Sequence, residues 1–496
     1  MAWTANLRCR RLASVGRAET LPEIIQGGMG VAVSHWRLAR SVAAAGGLGV
    51  ISGVGPDLLL ARMLQDGDPG GHVRRVLVGY PDQAFVEATL SRYLRPGGLE
   101  PGVPYRPIPK LDLHQRLDAV RLTALGTYAQ VALAKEGHDG PVGMNLLEKV
   151  QIWTPPALLG AMIAEVDAVL VGAGVPSHLP RLMDGLARLE PVTLPVDVSG
   201  ATSADDFSIS LDPREVVPGL GGALRRPAFL AIVSAHVLAT YLARSDDTRP
   251  DGFVIEGPTA GGHNAPPRRP ETDDTGQVVY GPRDVVDLAK VAATGLPFWL
   301  AGGYGTPEQL EQARASGARG VQIGTVFALS AESGMRTELR EQLLHSLADG
   351  TLDVRTDGRA SPTGFPFKVV QQAGTIADPS VQVQRERICD LGYLRTPFRR
   401  EDGTVGYRCP SEPEDAFVKK GGDPDETEGR LCLCNGLLST AGHPQRRPAS
   451  TGLTEEPPLL TLGQDLDGAR RLQEMHPDGW SAADVLTWLS PALERR

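Results

Sequence analysis

The sequence predicts an α/β protein built on a closed (β/α)8, or TIM, barrel. Eight short apolar runs are spread over residues 23–325, most of them continuous and not alternating. That is the pattern of strands buried on both faces in a parallel sheet. Most of these runs lead into a stretch with helical signals, so strand and helix alternate. The structural rival, a doubly wound open sheet, usually carries GxGxxG after its first strand, and that fingerprint does not follow the first run here.

The elements can be justified in order. EIIQGG (23–28) is a short strand ending in glycines, and SHWRLARSVAAAG (34–46) is a helix with Ser34 as N-cap and Gly46 as its stop. LGVISG (48–53) is the second strand. Residues 56–140 interrupt the rhythm with helical PDLLLARMLQ and LDLHQRLDAVRLTALGTYAQVALAKEG, joined by a proline-rich link. We read them as a helical insertion after strand two. Strands at 142–147 and 168–174 follow, with helices over PALLGAMIAEV and HLPRLMDGLARL. VTLPVDVSGATSADDFSISL (192–211) places two β-type runs around a polar turn, an inserted hairpin before strand five. Strands at 228–234, 252–257, 297–303 and 320–325 complete the set, with helices over AHVLATYLARS, RDVVDLAKVAATG and TPEQLEQARASG.

This divides the chain into a leader (1–22), a barrel (23–355) and a long loop-rich C-terminal extension (356–496) expected to pack on the barrel. In the extension, RASPTGFPFKVV and DLGYLRTPFRRED read as ordered loops, and TLGQDLDGARRLQEM and SAADVLTWLS as closing helices.

Composition excludes several classes. The 496 residues are 41% hydrophobic and 22% charged, ordinary for a soluble globular protein. A net charge of −9 argues against a nucleic-acid partner held through phosphates. No apolar run approaches the roughly 20 residues needed to span a bilayer. The basic N-terminus lacks an apolar signal core, so a cytoplasmic location is expected.

In such barrels the working residues gather at the C-terminal ends of the strands. Those ends supply Gly28, Met29 and Gly30, Asn145, Ser234, Gly262 and His263, Gly302 and Gly303, and Gly324 and Thr325. The set is rich in glycine and poor in carboxylates, which favours backbone cradling of a ligand over paired-acid chemistry. The glycine pair after strand seven and Gly324 after strand eight suit a phosphate held on backbone N–H groups, with the Thr325 hydroxyl as a further donor. His263 follows two glycines at the end of strand six and is one of only 10 histidines. An unperturbed imidazole titrates near pH 6.5, so it can accept a proton or carry charge at working pH.

The segments EIIQGGMGVAVSHWRLARSVAAAGGLGVIS, VGMNLL, DGFVIEGPTAGGH, PFWLAGGYGTPEQLEQARASGARGVQIGTVF and SPTGFPFKVV occur in this order. Together they resemble the nitronate monooxygenase family (formerly 2-nitropropane dioxygenases). That family consists of FMN-dependent barrels and includes flavin-dependent enoyl-thioester reductases. The resemblance implies FMN as cofactor, with the backbone of Gly28, Met29 and Gly30 facing the isoalloxazine and Asn145 hydrogen-bonding it. It implies that Gly302, Gly303, Gly324 and Thr325 hold the phosphate, with Gln322 on the same strand, and that Gly262 lets the backbone pass close to the flavin. His263 would be the catalytic base or the electrostatic partner of the nitro group. Ser234 stands where many relatives have lysine or threonine near the flavin, and Asn264-Ala265-Pro266 where many have a flavin-binding glycine.

The implied activity is oxidation of a nitronate or related small acidic carbon compound with O2, the partners being a small-molecule substrate and oxygen. The alternatives are NAD(P)H-dependent reduction of an enoyl thioester and a flavin-binding or scaffolding subunit without turnover. Cys389, Cys409, Cys432 and Cys434 are the remaining candidates for chemistry. Their spacing, one CxC and two distant singles, favours reduced cysteines over a zinc site and gives no metal in the expected active site.

Overall fold

Eight parallel strands pair in chain order: Ile24–Gln26, Gly49–Ser52, Val142–Leu147, Ala168–Gly172, Ala228–Val233, Gly252–Glu256, Phe298–Ala301 and Gly320–Ile323. They are called barrel strands one to eight. Strand one pairs with strand eight through Ile25 and Gln322. A bridge between Ile25 and Leu48, with Gln26 N–H to Leu48 O at 3.0 Å, closes the ring between strands one and two. The computed structural model describes residues 17–100, 102–449 and 452–491. The first sixteen residues of the expected leader, Cys9 among them, lie outside the described residues.

Strand alternation divides the core in two. Val50, Leu170, Leu230, Val254 and Trp299 point into the barrel, where Ala18 and Leu21 join them. Ile51, Met144, Val169, Phe229, Phe253 and Leu300 point outward to the helices. Fully burying one such side chain stabilises the fold by about 1.5–3 kcal/mol, which is why the strands read as continuous apolar runs. Residues 17–22 are therefore tied to the barrel through Ala18 and Leu21, while Glu19 and Thr20 stay exposed; the Trp299 indole N–H donates to Pro22 O at 3.0 Å.

Most helices fall where expected, with informative differences. Ser34 does not cap the helix Trp36–Ala44, whose N-cap is His35. Its hydroxyl instead accepts from Met29 N–H at 2.9 Å and donates to Gly27 O at 3.0 Å, bracing the loop after strand one. The helix Leu117–Lys135 within the expected insertion packs on strands two and three and on the helices Trp36–Ala44 and Thr154–Ile163, so it completes the outer ring. The helix expected over 283–295 shrinks to Leu288–Ala292, because Asp287 caps it by accepting from Lys290 N–H. The hairpin before strand five forms from Val192–Pro195 and Ser208–Leu211.

The extension is more structured than its composition suggests. The two expected loops contribute to antiparallel pairs, Val354–Asp357 with Phe367–Val370 and Thr396–Arg399 with Val405–Arg408. Each strand spans only four residues, and nearby glycines and prolines hide so short a β signal. The closing helices are Asp467–Met475 and Ala482–Leu489. The extension lies over the C-terminal end of the barrel. Gln464 N–H donates to Thr259 O at 2.9 Å, and Trp480 Nε1–H to Val326 O at 2.7 Å. Among the described residues no helix is long and apolar enough to cross a membrane.

Candidate active site at the C-terminal end of the barrel

The same alternation that fills the barrel builds its mouth. One position beyond the last inward apolar layer, the strands present Gly27, Ser52, Asn145, Gly172, Ile232, Glu256, Ala301 and Gln322, one from each strand or its end. All of them line a cavity of about 250 Å3. Of the sequence-predicted residues, Gly28, Met29, Gly30, Asn145, Gly262, His263, Gly302, Gly303, Gln322, Gly324 and Thr325 line it too. Ser234 does not. The chain has left strand five at Val233, and Ser234 lines a neighbouring cavity with Tyr280 and Pro266.

The loop after strand seven is shaped by glycine. Gly302 and Gly303 have φ of 85° and 80°, the left-handed region that side chains disfavour. A Cβ on Gly302 would lie 2.9 Å from Gly257 O. Among the described residues no protein acceptor takes the backbone N–H of Gly303, Gly324 or Thr325. The Thr325 hydroxyl accepts the N–H of Gly463 at 2.9 Å, which leaves its own hydrogen free to donate. The extension therefore forms one wall of this end of the cavity, through Thr461, Leu462, Gly463 and Asp465. The Gln322 side-chain oxygen is buried and has no hydrogen-bond partner.

His263 is held from both sides. Its flanking backbone pairs with the extension, Lys368 N–H donating to Gly262 O and Asn264 N–H to Pro366 O, each at 2.9 Å. Its ring meets Phe367 edge-on at 4.8 Å between centroids, and its Nε2 lies 2.7 Å from Ser361 Oγ. Ser361 is in turn 2.8 Å from Thr363 Oγ1. Burial against these groups pulls the imidazole down to about 4. It is therefore neutral at pH 7, not a group poised near 6.5: a hydrogen-bonding base, not a standing cation.

Two ionisable groups were not singled out by the sequence. Glu256 faces both cavities, and burial pushes its carboxyl up to about 8. Burial likewise pulls Lys368 down to about 8. Each opposes the other's shift by its charge, while Lys368 Nζ donates to Gln464 Oε1 at 2.8 Å. The signal for Glu256 was available: Val254 points inward, so a residue two further along strand six does as well.

The family model for nitronate monooxygenase matches residues 221–370. The nitronate monooxygenase of Pseudomonas aeruginosa is 30% identical over 271 residues, covering 53% of this chain and 73% of that protein. The (3aS,4S,5R,7aS)-5-hydroxy-7a-methyl-1-oxo-octahydro-1H-indene-4-carboxyl-CoA dehydrogenase of Mycobacterium tuberculosis is 32% identical over 138 residues. That match covers 28% of this chain and 34% of the relative, so the chain spans about a third of its length. The solved nitroalkane oxidase from Streptomyces ansochromogenes aligns over 96% of this chain and 97% of its own, at 16% identity and a TM-score of 0.47. The protein is thus an oxidoreductase built on a parallel barrel. It belongs to the nitronate monooxygenase family.

Proposed function

We propose that this chain is an FMN-dependent oxidoreductase that oxidises a nitronate, or a related small acidic carbon compound, with O2. One observation carries the reading: a cradle of unpaired backbone N–H groups after strands seven and eight shares a single cavity with the His263 imidazole. The cavity suits FMN. Gly303, Gly324 and Thr325 offer donors to a phosphate, Gly302 keeps the backbone close, and the unpartnered Gln322 oxygen and the Asn145 amide offer polar contacts deeper in. Bound there, the flavin supplies the electron acceptor.

The chain's own residues do the rest. Ser361 takes His263 Nε2, so Nδ1 is the nitrogen available to substrate. With Nε2–H donating to Ser361, Nδ1 accepts the α-proton of a neutral carbon acid. With Ser361 donating to Nε2, the Nδ1–H instead donates to an anionic nitronate. Ser361 serves both forms because a hydroxyl donates and accepts. The extension lines part of the mouth through Leu437, Thr461 and Leu462, placed to shield the reaction from water.

A second reading, NAD(P)H-dependent reduction of an enoyl thioester by FMN, draws on the same neutral imidazole. Uncharged, it does not by itself select an anionic substrate, and the Mycobacterium relative is named for a CoA thioester. Two assays run side by side test both: propionate 3-nitronate under air, and NADH with an enoyl thioester without oxygen. Nitrite release that is lost in His263→Ala supports the oxidase reading. NADH consumption only with the thioester replaces it with the second. A preparation that takes up no FMN overturns both.

A further inference from the structure

The sequence spacing of Cys389, Cys409, Cys432 and Cys434 argues against a metal, but the fold removes that objection. All four cysteines line one cavity of about 10 Å3, room for roughly one water-sized occupant. Cys389 and Cys409 bracket the strand pair Thr396–Arg399 and Val405–Arg408. Cys432 is the N-cap of the helix Leu433–Thr440, and Cys434 lies in its first turn. The distant singles are thus the two ends of a β-hairpin, and the CxC is a helix start brought against them.

The surroundings suit thiolates. The Cys389 and Cys409 thiols are within hydrogen-bonding reach of one another. Cys409 and Cys432 are buried, and Cys389 and Cys434 half-buried. Backbone N–H groups face the thiols: Ser411 at Cys409, Asn435 at Cys432, and Leu394 and Tyr393 at Cys434. Arg395 lines the cavity, and Arg395 and Lys110 place positive charge near Cys389, as Arg385 does near Cys432. Glu412 and Glu456 act in the opposite direction. Four thiolates around a divalent ion leave a net charge of −2, and these cations and N–H groups are what such a centre needs.

We propose that Cys389, Cys409, Cys432 and Cys434 bind one zinc ion as a structural four-thiolate site that fastens the 396–408 hairpin to the helix Leu433–Thr440. Among the described residues no three His, Cys, Asp or Glu side chains already stand at ligand spacing, so the thiols turn inward on binding and release their protons to solvent. The staple has a consequence for the barrel. The fastened helix carries Leu437, which lines the large cavity, so the zinc holds one wall of the active site.

The test uses the full chain, purified after expression with added zinc and assayed by mass spectrometry of metals. About one zinc per chain is expected. It should be lost in Cys409→Ser and in Cys432→Ser, retained in Cys9→Ser, and accompanied by a melting temperature that falls when a chelator strips the metal. Cobalt(II) added to stripped wild-type protein should show sulfur-to-cobalt charge-transfer absorption, a readout that does not require a cysteine variant to fold. Zinc below about a tenth of an equivalent, with no cobalt band, overturns the proposal. So does a Cys389–Cys409 disulfide found by peptide mapping of protein kept under native conditions.

Discussion

Ser361 Oγ lies 2.7 Å from His263 Nε2, and this contact joins the extension to the chemistry of the barrel. The imidazole comes from the loop after strand six, the hydroxyl from the loop between Val354–Asp357 and Phe367–Val370. Ser361→Ala should leave the ring in place, because Phe367 and the paired backbone still hold it. One net hydrogen bond is worth about 0.5–1.5 kcal/mol, so kcat should fall by roughly threefold to tenfold with little change in KM. Steady-state kinetics on the substrate identified by the paired assays, with the pH profile of each protein, checks this. An unchanged kcat and an unchanged profile would show that the Ser361 hydrogen bond does not contribute to the work of the imidazole.

The pH dependence follows from burial. With His263 titrating at about 4, kcat/KM should stay level down to about pH 5 and drop below it. An unfolded chain takes up a proton near 6.5, which the folded site refuses until about 4. Stability should therefore be lost as pH falls through that window, and less so in His263→Gln. Urea midpoints measured between pH 7 and pH 4 test the second statement. Equal slopes for the two proteins would contradict it.

At Gly302 a side chain meets two obstacles at once, a φ of 85° and a Cβ 2.9 Å from Gly257 O. Gly302→Ala should cost about 1–3 kcal/mol in backbone strain and shift the loop that offers the Gly303 N–H. The expected result is a lower melting temperature and a smaller flavin content per chain by absorbance. Full flavin content at an unchanged melting temperature would remove this loop from the binding site.

Most of the architecture was legible because burial on both faces leaves a plain mark. Val169, Leu170 and Val171 are apolar in succession, for one side faces helices and the other the barrel interior. Eight such runs suffice to state a barrel, and the glycines at their ends line its mouth. What escaped depends on contacts distant in sequence. Leu117–Lys135 looked inserted because 64 residues separate strand two from it, counting from Ser52 to Leu117. His263 looked like an ordinary imidazole because the residues that bury it, Ser361 and Phe367, come about a hundred positions later. Glu256 was missed although strand parity points it inward.

Glu256 and Lys368 should shape the alkaline side of the stability curve. The fold keeps a proton on Glu256 up to about 8, whereas an unfolded glutamate releases it at about 4.5. Its contribution is complete below 4.5 and is lost as pH rises through 8. Lys368 has the opposite sense. It releases its proton at about 8 in the fold and at about 10.5 when unfolded, so stability recovers as pH rises between those values. Glu256→Gln should flatten the fall from pH 5 to 8, and Lys368→Met the rise above 8. Denaturation midpoints of both variants across this range decide it; wild-type slopes in both would separate the pair from the pH response.

Trp480 ties the end of the extension to the barrel. It is 2% exposed, its indole N–H donates to Val326 O at 2.7 Å, and its own carbonyl accepts Ala331 N–H at 2.9 Å. Val326 directly follows Thr325, whose hydroxyl holds Gly463, so both ties converge on the segment after strand eight. Trp480→Ala should cost about 3–5 kcal/mol, the range for emptying a buried tryptophan site. Trp480→Phe should recover much of the packing but leave Val326 O without its donor, a cost of about 1–3 kcal/mol. Urea unfolding at fixed pH gives both values, and flavin dissociation should quicken in the same order, Ala before Phe before wild type. If Trp480→Ala loses stability without faster flavin release, the extension braces the barrel but its wall of the cavity does not retain the flavin.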